Sequence, residues 1–143
     1  MNIKPFNWGD TTEKYRHFVE QEIFVDKLYL KFFDVEPNDI VVDLGASVGP
    51  FTYSILPKQP KHVFCLEPSS DFFPTLIDNT LQHQVTPLNV AVAPEGKWDI
   101  SVDMFGAYDT QKTVKVPAIS LTELKKRYGI DQIDFIKKWI HKQ

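Results

Sequence analysis

A chain of 143 residues, 43% of them hydrophobic, can bury one core and is too short for two, so a single domain over residues 1–143 is expected. The formal net charge of -3 comes from 16 basic and 19 acidic residues spread along the whole length, which excludes an electrostatic footprint for nucleic acid or for an anionic membrane. The lone Cys65 has no disulfide partner, no basic-then-apolar leader opens the chain, and no apolar run approaches the roughly 20 residues of a membrane span, so a cytoplasmic location is the expectation.

Residues 1–9 show no clear period. Asp10 followed by Glu13 has the spacing of a capping box, and Tyr15, Phe18, Val19, Leu28, Phe32 and Phe33 then recur at mostly helical spacing. An N-terminal helical segment over residues 1–37 is therefore expected, broken near Val25 and stopped at Pro37. Ile40–Leu44 is a short apolar run ending at Gly45, the pattern of a strand buried on both faces. Pro50 suits a first helical position and Pro57 a stop, which predicts a brief helix over residues 51–56.

The next strand is His62–Leu66, followed by Glu67 and Pro68. Ser69 or Ser70 then caps a helix through Leu76, Ile77 and Leu81, with Pro74 in its first turn. Residues 85–92 read as a third strand, weakened at its start by Pro87. Strand, helix, strand, helix, strand is a crossover pattern that lays neighbouring strands parallel. Alternation at Ile100, Val102 and Met104, and again at Val114 and Val116, predicts an inserted β-hairpin around Gly106. Ser120 with Glu123 caps a helix over Leu121–Tyr128 that Gly129 closes, and residues 133–137 form a fourth core strand.

The chemistry-bearing stretch is Asp43-Leu44-Gly45-Ala46-Ser47-Val48-Gly49, at the carboxyl end of the first strand and just before a helix. Ligands of open α/β sheets bind there, beside the switch in strand order. Gly45 permits a tight turn and Gly49 a close helix approach, leaving free backbone N–H groups toward a ligand. The dinucleotide fingerprint requires glycine where Ser47 stands, which favours a nucleoside without phosphates over NAD. Glu67 lies 22 positions after Gly45, near the roughly 20-residue offset at which an acid accepts ribose hydroxyls. Asp43 either caps the loop, orients it, or faces the cationic end of a ligand.

Phe51, Phe64, Phe72 and Phe73 read as core rather than as adenine-stacking groups, and Cys65 as a small buried residue. The four histidines show no ligand spacing, and no metal is expected. The Lys125-Lys126-Arg127 run reads as the wet face of its helix. No catalytic base is assigned, and His17 and Glu22 read as ordinary residues of the first helix.

These stretches together, IVVDLGASVGPFTYSIL, VFCLEPSSDFFPTLIDNT, the hairpin leading into VPAISLTEL, and IDFIK, resemble the FkbM family of S-adenosylmethionine-dependent methyltransferases from about Asp10 to Lys137. The resemblance implies an α/β, Rossmann-like, doubly wound and mostly parallel sheet of the class I methyltransferase type, with a cofactor-binding core over residues 38–137. It implies S-adenosyl-L-methionine as cofactor, with Asp43, Gly45, Ala46, Ser47, Gly49 and Glu67 as contacts and Asn89, Val90 and Ala91 near the adenine. It further implies methyl transfer to a hydroxyl of a sugar, glycan or other small metabolite.

Where the family continues IDFIK with an acidic motif, residues 138–143 read KWIHKQ, an atypical tail. The comparison thus implies a domain incomplete at its carboxyl end, truncated after the fourth core strand, with activity left open. The alternative is a non-catalytic nucleoside-binding or interaction module derived from such an enzyme. An unpaired fourth strand would invite a homo-oligomer or a complementing chain. A nicotinamide-dependent oxidoreductase is a third, weaker reading, disfavoured by Ser47.

Overall fold

The computed structural model describes residues 5–81, 84–105 and 111–138. Its centre is a parallel sheet of four strands, β1 (Ile40–Leu44), β2 (His62–Leu66), β3 (Val85–Leu88) and β7 (Phe135–Lys138), in the order β3-β2-β1-β7. A smaller mixed sheet holds β4 (Ala91–Val92), β5 (Asp99–Phe105) and β6 (Gln111–Ile119), with β6 central, parallel to β4 and antiparallel to β5. The helices are α1 (Glu13–Val19), α2 (Pro50–Ile55), α3 (Phe73–Thr80) and α4 (Leu121–Tyr128).

Alternation along the strands splits the apolar residues into two cores. Val41 and Val63 turn to one face with Cys65, where Val19, Ile23, Phe51, Ile55 and Leu76 complete the cluster. Val42, Leu44, Phe64 and Leu66 turn to the other, against Ile119 and Leu124. Each such side chain, fully buried, contributes about 1.5–3 kcal/mol. The first face is therefore covered by α1, α2 and α3, and the second by α4 and the small sheet. The chain runs from β1 to β2 to β3 in one direction and returns to the opposite side of β1 for β7, so the order reverses between β1 and β7. The expected doubly wound α/β arrangement is present.

Several local expectations are revised. Thr12, not Asp10, caps α1, its hydroxyl accepting the Tyr15 N–H at 3.2 Å. After α1 the chain widens into a π-helical stretch, Glu20–Val25, and then a short 3-10 turn, Leu28–Leu30. The break expected near Val25 is there, marked by Lys27 in the left-handed region at φ 48°. Neither Ser69 nor Ser70 caps α3; Phe72 holds that position, and Phe73 N–H donates to the Ser69 carbonyl at 3.1 Å.

The strand expected over residues 85–92 is two strands, β3 and β4, interrupted at Asn89 and Val90. The interruption transfers the chain from the large sheet to the small one. At the other end, α4 matches its expected limits, with Ser120 Oγ accepting the Glu123 N–H at 3.0 Å and Gly129 closing it at φ 62°. The hairpin strands β5 and β6 also pair as expected, whereas their turn around Gly106 lies outside the described residues. No helix among the described residues is long and apolar enough to cross a membrane.

Candidate functional site

The loop after β1 and the acid after β2 meet. Ser47 N–H donates to Glu67 Oε1 at 2.6 Å, and Ser69 N–H donates to Glu67 Oε2 at 2.7 Å. Parallel pairing of β1 with β2, with Leu44 opposite Leu66, brings both strand ends to one rim. The Gly45 and Ala46 N–H groups donate to the Leu66 carbonyl at 2.9 and 3.1 Å, and Gly49 N–H donates to the Ala46 carbonyl at 2.8 Å. The expectation of free N–H groups is thus corrected at these positions, because β2, Glu67 and the loop's own Ala46 carbonyl already satisfy them.

Ser47 has φ 56°, a left-handed conformation that glycine adopts most readily. The side chain retained there is used: Ser47 Oγ and the Tyr15 hydroxyl are 2.5 Å apart. The Tyr15 ring stacks on Phe72 with centroids 6.1 Å apart, so α1 lies across the rim. Burial pushes the Tyr15 phenol well above its ordinary value, against the opposing effect of the Ser47 hydrogen bond. Glu67 is 6% exposed, and its carboxyl is raised to about 7, chiefly by burial and against the Ser69 and Ser47 N–H groups.

Asp43 turns inward. It is 0% exposed, and Oδ2 accepts the Thr52 hydroxyl at 2.7 Å. Its Oδ1 lies 3.0 Å from the Lys137 ammonium. That contact is an ion pair without an aligned hydrogen bond, since Oδ1 has no directional donor. The ammonium directs hydrogen bonds instead to the carbonyls of Gly45, at 3.0 Å, and Leu44, at 3.3 Å. It also sits 5.4 Å from the centre of the Tyr29 ring, whose hydroxyl donates to Glu22 at 2.6 Å. The Asp43 carboxylate thus touches Thr52 and Lys137, and reaches the glycine loop only through the Lys137 ammonium.

The other expected contacts are divided. Asn89 Nδ2 donates to the Glu67 carbonyl at 2.9 Å, and Ser70 Oγ donates to Asn89 Oδ1 at 3.2 Å, so Asn89 joins the rim. Val90 packs with the second apolar cluster, and Ala91 is buried in β4 opposite Ala118. Ala46 belongs to the first cluster, and Gly49 passes under Leu76 of α3. Phe51 and Phe64 are core, while Phe72 and Phe73 are half-buried. Cys65 is fully buried beside Thr52, and burial holds its thiol well above the ordinary range.

Sequence reasoning passed over Lys137 and Tyr15. One signal for Lys137 existed: it follows Phe135 and Ile136 in a core strand, where a buried cation requires an anion nearby, and Asp43 occupies an adjacent strand. Tyr15 had no such signal, since its helical spacing accounts for it equally well as a packing residue.

No family model matches the chain. It is 34% identical over 70 residues, 48% of this chain and 27% of the relative, to the 31-O-demethyl-FK506 methyltransferase FkbM of Streptomyces tacrolimicus. It is 31% identical over 77 residues, 54% of this chain and 22% of the relative, to the mitochondrial dimethyladenosine transferase 1 of Drosophila pseudoobscura pseudoobscura. The chain thus spans about a quarter of the length of the curated relatives it matches. The crystal structure of PRMT6 aligns with a TM-score of 0.42 at 24% identity, over 53% of this chain and 24% of that one. The chain bears a weak resemblance to S-adenosylmethionine-dependent methyltransferases over about half its length.

Proposed function

We propose that this chain binds S-adenosyl-L-methionine at the carboxyl rim of β1 and β2 and serves FkbM-type methyl transfer to a hydroxyl of a sugar or other small metabolite. The observation that carries the reading is the 2.6 Å bond from Ser47 N–H to Glu67 Oε1, which unites the glycine loop and the acid in one site. Each Glu67 oxygen accepts one backbone N–H and keeps acceptor capacity, so the carboxylate fits a vicinal diol such as that of a ribose. Sequence similarity to the FkbM methyltransferase supports the same ligand, and the two relatives' names point to different acceptors.

Bound there, the cofactor would supply a methyl group activated on a sulfonium. The chain's own part is positional: Glu67 holds the sugar, Asp43 and Lys137 set the loop, and Tyr15 on α1 screens the rim from water. A second reading, binding without turnover, is supported by the proton acceptors of the first helical segment. The His17 side chain is 88% exposed, 3.9 Å from Glu20, and Glu22 already accepts the Tyr29 hydroxyl.

Calorimetry with S-adenosylmethionine, S-adenosylhomocysteine and NAD, on wild type and Glu67→Ala, tests the binding. Expected are one site for the two sulfur ligands, a loss of about tenfold or more in the variant, and no heat from NAD. Folded wild type that binds neither sulfur ligand would falsify the reading. Transfer of a labelled methyl group to a panel of hydroxylated acceptors then separates turnover from binding alone.

A further inference from the structure

We propose that Lys137 is the positioning residue of this site: its ammonium neutralises Asp43 inside the protein and sets the glycine loop through the carbonyl oxygens of Leu44 and Gly45. The inference rests on the reading that the loop holds an adenosyl ligand, and goes beyond it by assigning what holds the loop and what Asp43 does not do.

The placement is specific. Asp43 and Lys137 are register partners on β1 and β7, the two strands between which the sheet order reverses. Lys137 is 4% exposed and Asp43 0%. Three oxygens, Asp43 Oδ1 and the carbonyls of Gly45 and Leu44, lie within 3.0, 3.0 and 3.3 Å of one nitrogen. A buried ion pair is a weak stability device, since packed apolar residues often do as well in its place. An ammonium, however, brings three donors, and two of these go to the backbone of the ligand loop.

The arrangement also decides ligand recognition. Asp43, Leu44 and Gly45 form a pocket suited to a cation, and the protein's own cation fills it. The positive amino-acid tail of an adenosyl ligand therefore finds no uncompensated charge at Asp43, and the anionic contact at this rim is Glu67.

The test uses the double variant Asp43→Asn/Lys137→Met, which removes both charges together, with S-adenosylhomocysteine and methylthioadenosine, the second lacking the amino-acid tail. The expected result is a melting temperature close to wild type with affinity reduced about tenfold or more, by similar factors, for both ligands. Unchanged affinity would show that Lys137 only balances charge and would overturn the proposal. A loss confined to S-adenosylhomocysteine would assign Asp43 to the ligand's tail and overturn it equally.

Ligand-free wild type provides a second measurement. In protein labelled with nitrogen-15 lysine and carbon-13 carbonyls, a through-hydrogen-bond coupling is expected between the Lys137 ammonium and the Gly45 carbonyl. Its absence, with Lys137 ammonium protons exchanging as fast as those of surface lysines, sinks the proposal even if the double variant does not fold. Because this measurement needs no ligand, a failure of the adenosyl-binding reading remains distinguishable from a failure of the Lys137 assignment.

Discussion

Ser47 and Glu67, 20 residues apart in the chain, are joined by a hydrogen bond of 2.6 Å from the main chain of one to the carboxylate of the other. The bond makes the bend after β1 and the acid after β2 a single unit. Whatever changes the charge on Glu67 therefore changes the loop.

The first prediction concerns pH. Burial raises the Glu67 carboxyl from 4.5 to about 7. A folded value above the unfolded one means that the folded protein holds the proton more tightly. The resulting stability is fully present below about 4.5 and is lost as pH rises through about 7, a change of about 3 kcal/mol. Urea denaturation across this window should show wild type losing stability relative to Glu67→Gln, and parallel curves would refute the assignment. Ribose hydroxyls donate to the ionised form, so adenosyl-ligand affinity should rise across the same window.

Tyr15→Phe keeps the ring against Phe72 and deletes the hydroxyl at Ser47. A loss of about 1 kcal/mol is expected from that single hydrogen bond. Amide exchange should quicken over α1 and the π-helical stretch, and S-adenosylhomocysteine should associate faster as the rim is uncovered. Exchange indistinguishable from wild type would show that the hydroxyl does not hold α1 in place.

Gly49→Ala tests the close approach of α3. At φ 94° the backbone disfavours any side chain, and an added Cβ would stand 3.0 Å from Leu76 Cδ1. A destabilisation of about 1–3 kcal/mol is expected. Leu76→Val in the same background relieves the contact but not the backbone strain, so it should recover part of the loss at most. Full recovery would contradict the conformational argument.

Cys65 offers a probe of global opening. The thiol is 0% exposed and shifted toward its neutral form by burial, so both access and thiolate are suppressed. Its reaction with an aromatic disulfide reagent at mildly alkaline pH should follow the urea dependence of unfolding. Rapid labelling of the native protein would mean that the sheet opens locally around Thr52.

Local signals carried most of the fold into the sequence. The strands β1 and β2 and helix α4 stand where apolar runs, Ser120 and Gly129 placed them, because pattern and capping act over a few neighbouring residues. The third strand was misjudged because apolar residues resume at Val90 after Asn89, while β2 ends at Leu66 opposite Leu88 and the chain beyond passes to a second sheet beside β6. Residue type cannot report which strand lies next door.

The site divides along the same line. By itself the sequence determined the bend at Gly45 and Gly49, the acid at Glu67, and their arrival at one rim, since a single crossover fixes that rim. Only the tertiary structure decided that Asp43 faces Lys137, that Ser47 is held by Tyr15, and that the loop's amides are already engaged. Those contacts join β7 and α1 to β1 across long chain separations, and strand order, which no local pattern encodes, selects the partners.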